Sequence, residues 1–119
     1  MGLDTTHGCW SGPYSAFNRF RYSLAYQIGI NLDEYAGYND LGVKNLSDIK
    51  HPLMPLFNHS DCDGRLTVKE CKSIVKGLNN VLENFTENEK YDFDFKEKIK
   101  QFRDGCEHAI SLKQMVKFH

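Results

Sequence analysis

Thr67-Val68-Lys69-Glu70-Cys71-Lys72-Ser73-Ile74-Val75-Lys76-Gly77-Leu78-Asn79-Asn80-Val81-Leu82-Glu83-Asn84-Phe85 is the stretch from which the fold can be read. Its first four residues form a capping-box pattern, in which the Thr67 hydroxyl and the Glu70 carboxylate satisfy backbone N–H groups reciprocally. Cys71, Ile74, Val75, Leu78, Val81, Leu82 and Phe85 then recur at three- and four-residue steps, which places them on one stripe of a helix. Such a stripe is stable only when buried against other elements.

Working outward, Thr86-Glu87-Asn88-Glu89 is a second capping-box pattern. Phe95, Ile99, Phe102, Cys106, Ala109 and Ile110 follow it, so a helix is expected from about 88 or 92 to 109. The tail, Gln114 to His119, alternates and suits a short strand. Upstream, Pro52 to Phe57 is apolar but holds two prolines, which limits it to one or two helical turns. Residues 30–50 carry isolated apolar residues among Gly, Asn and Asp, and read as a loop with one short helix near 45–50. A further helix is expected over 13–28. Ser11 or Gly12 would cap it, Pro13 would open it, Phe17, Phe20, Leu24 and Ile28 would share a face, and Gly29 would end it. The expected fold is mainly α (α+β with minor short strands): a compact bundle of about three to four helices with an EF-hand-like loop–helix, in one domain over 1–119.

Of the 119 residues 40% are hydrophobic, enough for one core and too many for a disordered chain. Fifteen Lys and Arg against 16 Asp and Glu leave a net charge of −1, so no surplus of cations drives bulk nucleic-acid binding. No apolar run approaches the roughly 20 residues that span a bilayer. The first residues lack the basic start and apolar stretch of a secretory signal, and a cytoplasmic location is expected. Cys9, Cys62, Cys71 and Cys106 show no disulfide framework and are expected as thiols, Cys71 and Cys106 as small hydrophobes.

The densest chemistry lies in His59-Ser60-Asp61-Cys62-Asp63-Gly64. From His59 to Glu70 the chain resembles the calcium loop of an EF-hand. Asp61 and Asp63 stand at the third and fifth positions, Gly64 at the sixth where the turn is sharp, and Glu70 at the twelfth where a bidentate carboxylate is wanted. The first position departs from the pattern. It is His59 rather than Asp, a nitrogen donor where calcium prefers oxygen. Calcium through His59, Asp61, Asp63 and Glu70 is one expectation. Zinc is another, either through His7, Cys9, His59 and Cys62 or, with one open position, through His7, His59 and Asp61. Against both stands ordinary turn chemistry, in which Asp61 and Asp63 bond nearby backbone and Glu70 serves its cap.

Other catalytic patterns fit poorly. Phosphate-binding glycine loops and Gly-flanked nucleophilic serines do not occur. Cys9 beside His7 offers a nucleophile and a base, a pairing more often coincidental. Arg19 and Arg21 alternate with Phe17, Phe20 and Tyr22, which suits either a phosphate with a nucleobase or, more simply, an amphipathic helix with its arginines in water.

Several of these segments together resemble a family of small, functionally uncharacterised proteins of phages, prophages and bacteria. The matching residues are Met1 to His7 with Cys9-Trp10, Tyr14 to Arg19, His59 to Gly64, Gln101-Phe102 with Gly105, and the closing Phe118-His119. Arg65 departs from that pattern, where an acidic residue is common, and the middle segment is shorter. The resemblance implies a phage or mobile-element origin and brings no catalytic residues with it.

The expected function is a binding protein. Asp4, His7, Arg19 and His119 would gather with His59, Asp61 and Asp63 into one pocket for a metal or a small anionic ligand such as a nucleotide, in a phage accessory or counter-defence role in the host cytoplasm. Two alternatives are a metal-dependent phosphoester hydrolase on His7, His59 and Asp61, and a module that binds a host protein and uses the loop only as a turn.

Overall fold

The computed structural model describes residues 2–35, 42, 44–45, 50–59 and 64–119. Chain order runs through β1 (Gly2–Asp4), a 3-10 turn (Thr6–Gly8), β2 (Ser11–Pro13), α1 (Tyr14–Gln27), a 3-10 turn (Leu32–Glu34), α2 (Met54–Phe57), β3 (Gly64–Leu66), α3 (Val68–Glu83), α4 (Phe95–Ser111) and β4 (Val116–Phe118). This is a mainly helical chain with, among the described residues, two small antiparallel ladders, as its periodicities predict.

The α3 helix forms as its sequence dictates. The Glu70 N–H donates to Thr67 Oγ1 at 3.2 Å, and the Thr67 N–H donates to Glu70 Oε1 at 3.0 Å. Its buried stripe, including Cys71, Ile74 and Leu78, packs on the Ile99, Phe102 and Cys106 face of α4. The α1 helix adds Phe17, Phe20 and Leu24 to the same core. Its end is a Schellman motif: Gly29 N–H donates to Tyr26 O and Ile30 N–H to Ala25 O, with Gly29 at φ 81°. Pro55 sits in the first turn of the four-residue α2, where its missing N–H costs nothing.

Two expectations are corrected. The Thr86 capping box does not start a helix; α4 begins at Phe95. The backbone of Thr86 is already engaged by Gln27, whose Nε2 donates to Thr86 O at 2.6 Å and whose Oε1 accepts from Thr86 N at 3.3 Å. Asn88 instead closes a local turn on the Lys90 N–H. Arg21, expected in water, is only 4% exposed, because its place between Phe17, Phe20 and Leu24 falls on the buried face. The short helix looked for near 45–50 falls largely outside the described residues; before it, Tyr35 and Lys44 form a parallel bridge.

The ladders tie the ends of the chain together. β1 pairs with β2 through Leu3↔Gly12, and β3 pairs with β4 through Arg65↔Lys117. Thr5 bridges Phe118, and Asp4 and His119 exchange two backbone hydrogen bonds of 2.8 Å. β4 is therefore held by β3 on one edge and by the N-terminal segment on the other. Val116 and Phe118 point into the core, and Lys117 and His119 point out. No helix among the described residues is long and apolar enough to cross a membrane.

Candidate functional site

The junction of β1, β3 and β4 holds His59, the last described residue before the acidic turn. Three contacts fix it. Arg21 Nη1 donates to the His59 carbonyl at 2.7 Å, and Arg21 Nη2 donates to Asn18 Oδ1. The Arg21 guanidinium also lies over the Phe17 ring, 4.8 Å from its centroid. A buried cation is costly unless hydrogen-bonded, so this arrangement commits Arg21 to holding the start of the turn. The His59 ring lies against Phe118, with centroids 4.2 Å apart. Its Nε2 is 3.0 Å from the Arg65 carbonyl oxygen. A carbonyl only accepts, so Nε2 carries the proton.

In EF-hand terms these are the first and seventh positions, a side chain and a backbone carbonyl that would share a cation. Here they meet through a hydrogen bond. Gly64, the sixth position, has φ 97°, a conformation L side chains resist. A Cβ there would also lie 3.2 Å from His59 Cε1. Both observations explain the glycine. The segment after it forms β3 and pairs with the C-terminal strand.

Asp61 and Asp63, with Cys62, lie outside the described residues. Glu70 is half-buried and holds its capping box. The ligand-binding candidates have separate partners. Asp4 Oδ1 accepts from Ser11 Oγ at 2.6 Å. The His7 ring sits between Thr6 Oγ1 and Gln114 Oε1, each 2.8 Å from a ring nitrogen, with the His108 ring 5.7 Å away. Arg19 is exposed and faces Asp92 at 3.6 Å. His119 is exposed and joins Asp4 through backbone only. The fold thus gathers the segments bearing Asp4, His59 and His119, while the side chains of His7 and Arg19 face elsewhere. Among the described residues, no three His, Cys, Asp or Glu side chains cluster to hold a metal.

Cys9 does not pair with His7. It is fully buried beside Gly105 of α4, in the core that also encloses Cys71 and Cys106, and all three are free thiols. Hydrogen bonding with Cys71 and Cys9, together with burial, pushes the Cys106 thiol up, the direction of an inert thiol rather than a nucleophile.

Two concave surfaces were not foreseen. One, about 510 Å³, is walled by Tyr22, Tyr26 and Tyr91 with Lys90. The Tyr22 hydroxyl donates to Asp33 Oδ1 at 2.9 Å, and burial with that carboxylate pushes its pKa up to about 12. The four-residue step from Tyr22 to Tyr26 was the available signal, hidden by the stronger Phe17–Leu24 stripe on the same helix. The other, about 540 Å³, is lined by Thr6, His7, Lys113, Gln114, Met115 and Lys117. No family model, curated protein or solved structure matches the chain.

Proposed function

We propose that this is a small metal-binding protein whose turn from His59 to Glu70 holds a divalent cation. The observation that carries this reading is the approach of His59 Nε2 and the Arg65 carbonyl to 3.0 Å, which brings the first and seventh positions together; a cation that displaced the Nε2 proton would take both groups in place of their hydrogen bond. Asp61 and Asp63 would supply two carboxylates and Glu70 a third on leaving its cap. An imidazole nitrogen at the first position favours zinc over calcium, since calcium wants oxygen and zinc accepts nitrogen with carboxylate. Three buried free thiols suit a reducing compartment, which supports a cytoplasmic setting, that of a host cell if the gene is phage-borne. There it would serve as an accessory or counter-defence factor that sequesters or senses its ion. A phosphoester hydrolase on His7, His59 and Asp61 is less favoured, because His7 faces Gln114 while His59 faces Arg65.

The test is metal titration of tag-free protein. At a free concentration 100 times Kd, a ligand of the native state contributes about 2.7 kcal/mol, near 10 °C in Tm for a chain of this size. Zinc should produce that shift, Asp61→Ala should abolish it, and His59→Asp should move the preference toward calcium. If neither ion raises Tm at millimolar concentration, the turn is structural and the interaction-module reading replaces this one.

A further inference from the structure

We infer that the pocket lined by His7, Lys113 and Lys117 is a binding site for the phosphate group of a small molecule, separate from the cation turn. Three independent features converge on it. First, the charge is one-sided. None of the lining residues is acidic, and neither Lys113 nor Lys117 forms an ion pair among the described residues. Lys117 is also directly cross-strand from Arg65, and both are exposed on the outward face of the β3–β4 ladder. Like charges placed opposite each other in a ladder repel, and a bound anion would offset that cost. Glu97 and Asp104, which line a neighbouring pocket with His7, are engaged with Lys100 at 3.5 Å and Arg103 at 3.0 Å.

Second, the backbone is held in an unfavourable conformation here. Among the described residues, the non-glycine residues with positive φ are His7 at 63° and Lys113 at 56°, and both line this pocket. Lys113 ends α4 in a Schellman motif, with its N–H on Ile110 O and Gln114 N–H on Ala109 O. The same place after α1 is filled by Gly29, the residue that takes this conformation freely. A lysine in the last helical turn would complement the helix dipole equally well without a left-handed backbone. Strain of this kind gathers at ligand sites.

Third, a neutral donor accompanies the cations. His7 Nε2 donates to Gln114 Oε1 and His7 Nδ1 accepts from the Thr6 hydroxyl, which itself accepts from the Lys117 N–H at 2.9 Å, so the Gln114 carboxamide N–H is the neutral donor that the pocket lining offers an anion. Ammonium groups with neutral donors are the chemistry of phosphate recognition. The pocket volume suits a mononucleotide-sized ligand rather than an extended polyanion, and the net charge of −1 argues the same way.

The experiment uses metal-free protein in chelating-resin-treated buffer, so that its outcome is independent of the cation turn. Inorganic phosphate, adenosine monophosphate and adenosine are each titrated while Tm is followed. Phosphate and the monophosphate should each raise Tm by about 5 °C near ten times Kd, and adenosine should not. Lys113→Gly should raise the Tm of the free protein, by relieving the left-handed lysine, and yet weaken the anion effect at least tenfold. Lys117→Gln should weaken it without unfolding, and Lys76→Gln, on exposed α3 surface, should leave it unchanged. The inference is overturned if phosphate and the monophosphate produce no shift, if the shift survives in Lys113→Gly and Lys117→Gln, or if Lys113→Gly lowers Tm. It is equally overturned if single-stranded oligonucleotides bind more tightly with each added nucleotide, the signature of a nucleic-acid surface.

Discussion

Gly105→Ala tests how the N-terminal segment is seated. Gly105 is in the interior of α4, where alanine ordinarily stabilises a helix by about 1 kcal/mol. Here a Cβ would lie 2.6 Å from Cys9 Sγ, 2.8 Å from Cys9 N and 2.9 Å from Cys9 Cα. Two of these atoms are backbone, so no rotamer change relieves the clash. Overpacking of this kind costs about 3 kcal/mol, which leaves a net loss of about 2 kcal/mol after the helix gain. With an unfolding entropy of about 2.1 cal/mol/K per residue, that is near 8 °C in Tm. Chemical denaturation followed by the fluorescence of Trp10, 2% exposed and adjacent to Cys9, measures it directly. Gly77→Ala is the control. Its Cβ would meet Leu53 Cγ and Cδ2 at 2.6 and 2.7 Å, but Leu53 N only at 3.3 Å, so a side chain can absorb part of the strain. Gly105→Ala should therefore lose clearly more stability than Gly77→Ala. A Gly105→Ala protein as stable as the parent would refute the close seating of Cys9 on α4, and with it the placement of His7.

Replacing Arg21 with Met keeps the stem that packs in the core but removes the guanidinium that donates to the His59 carbonyl; a loss of about 1–3 kcal/mol of unfolding free energy, measured by chemical denaturation, is expected. His51 is held below its usual range by burial, and its Nδ1 accepts the Leu53 N–H at 3.1 Å. Its folded pKa lies below its unfolded value, so the unfolded chain binds more protons as pH falls through about 6.5 and stability declines there. Tm measured between pH 7.5 and 5.5 should fall less steeply in His51→Gln; an identical slope would mean His51 contributes nothing to the acid limb.

Legibility followed the range of the forces involved. The α3 helix was readable because the Thr67–Glu70 box and the apolar stripe lie within its own segment. An identical-looking box at Thr86 failed because Gln27, 59 residues earlier in the chain, takes both backbone groups of Thr86. Arg21 had a readable position, in phase with Phe17 and Leu24, but its charge argued for water, and only the His59 carbonyl and Asn18 explain how burial is tolerated. The alternation of Val116 and Phe118 announced a strand, but nothing local named β3 and Thr5 as its partners.

The amino-acid order alone settled the helical class, the phase of each buried face and the turn glycine at position 64, because backbone capping, side-chain period and steric limits on φ act over a few residues. Which polar groups meet was decided by the packed fold. The lysines at 113 and 117 face histidine 7 across more than a hundred residues, and the imidazole at 59 closes on a carbonyl rather than on histidine 7. Such meetings depend on how separate elements pack together, and that depends on the whole core at once rather than on any one segment.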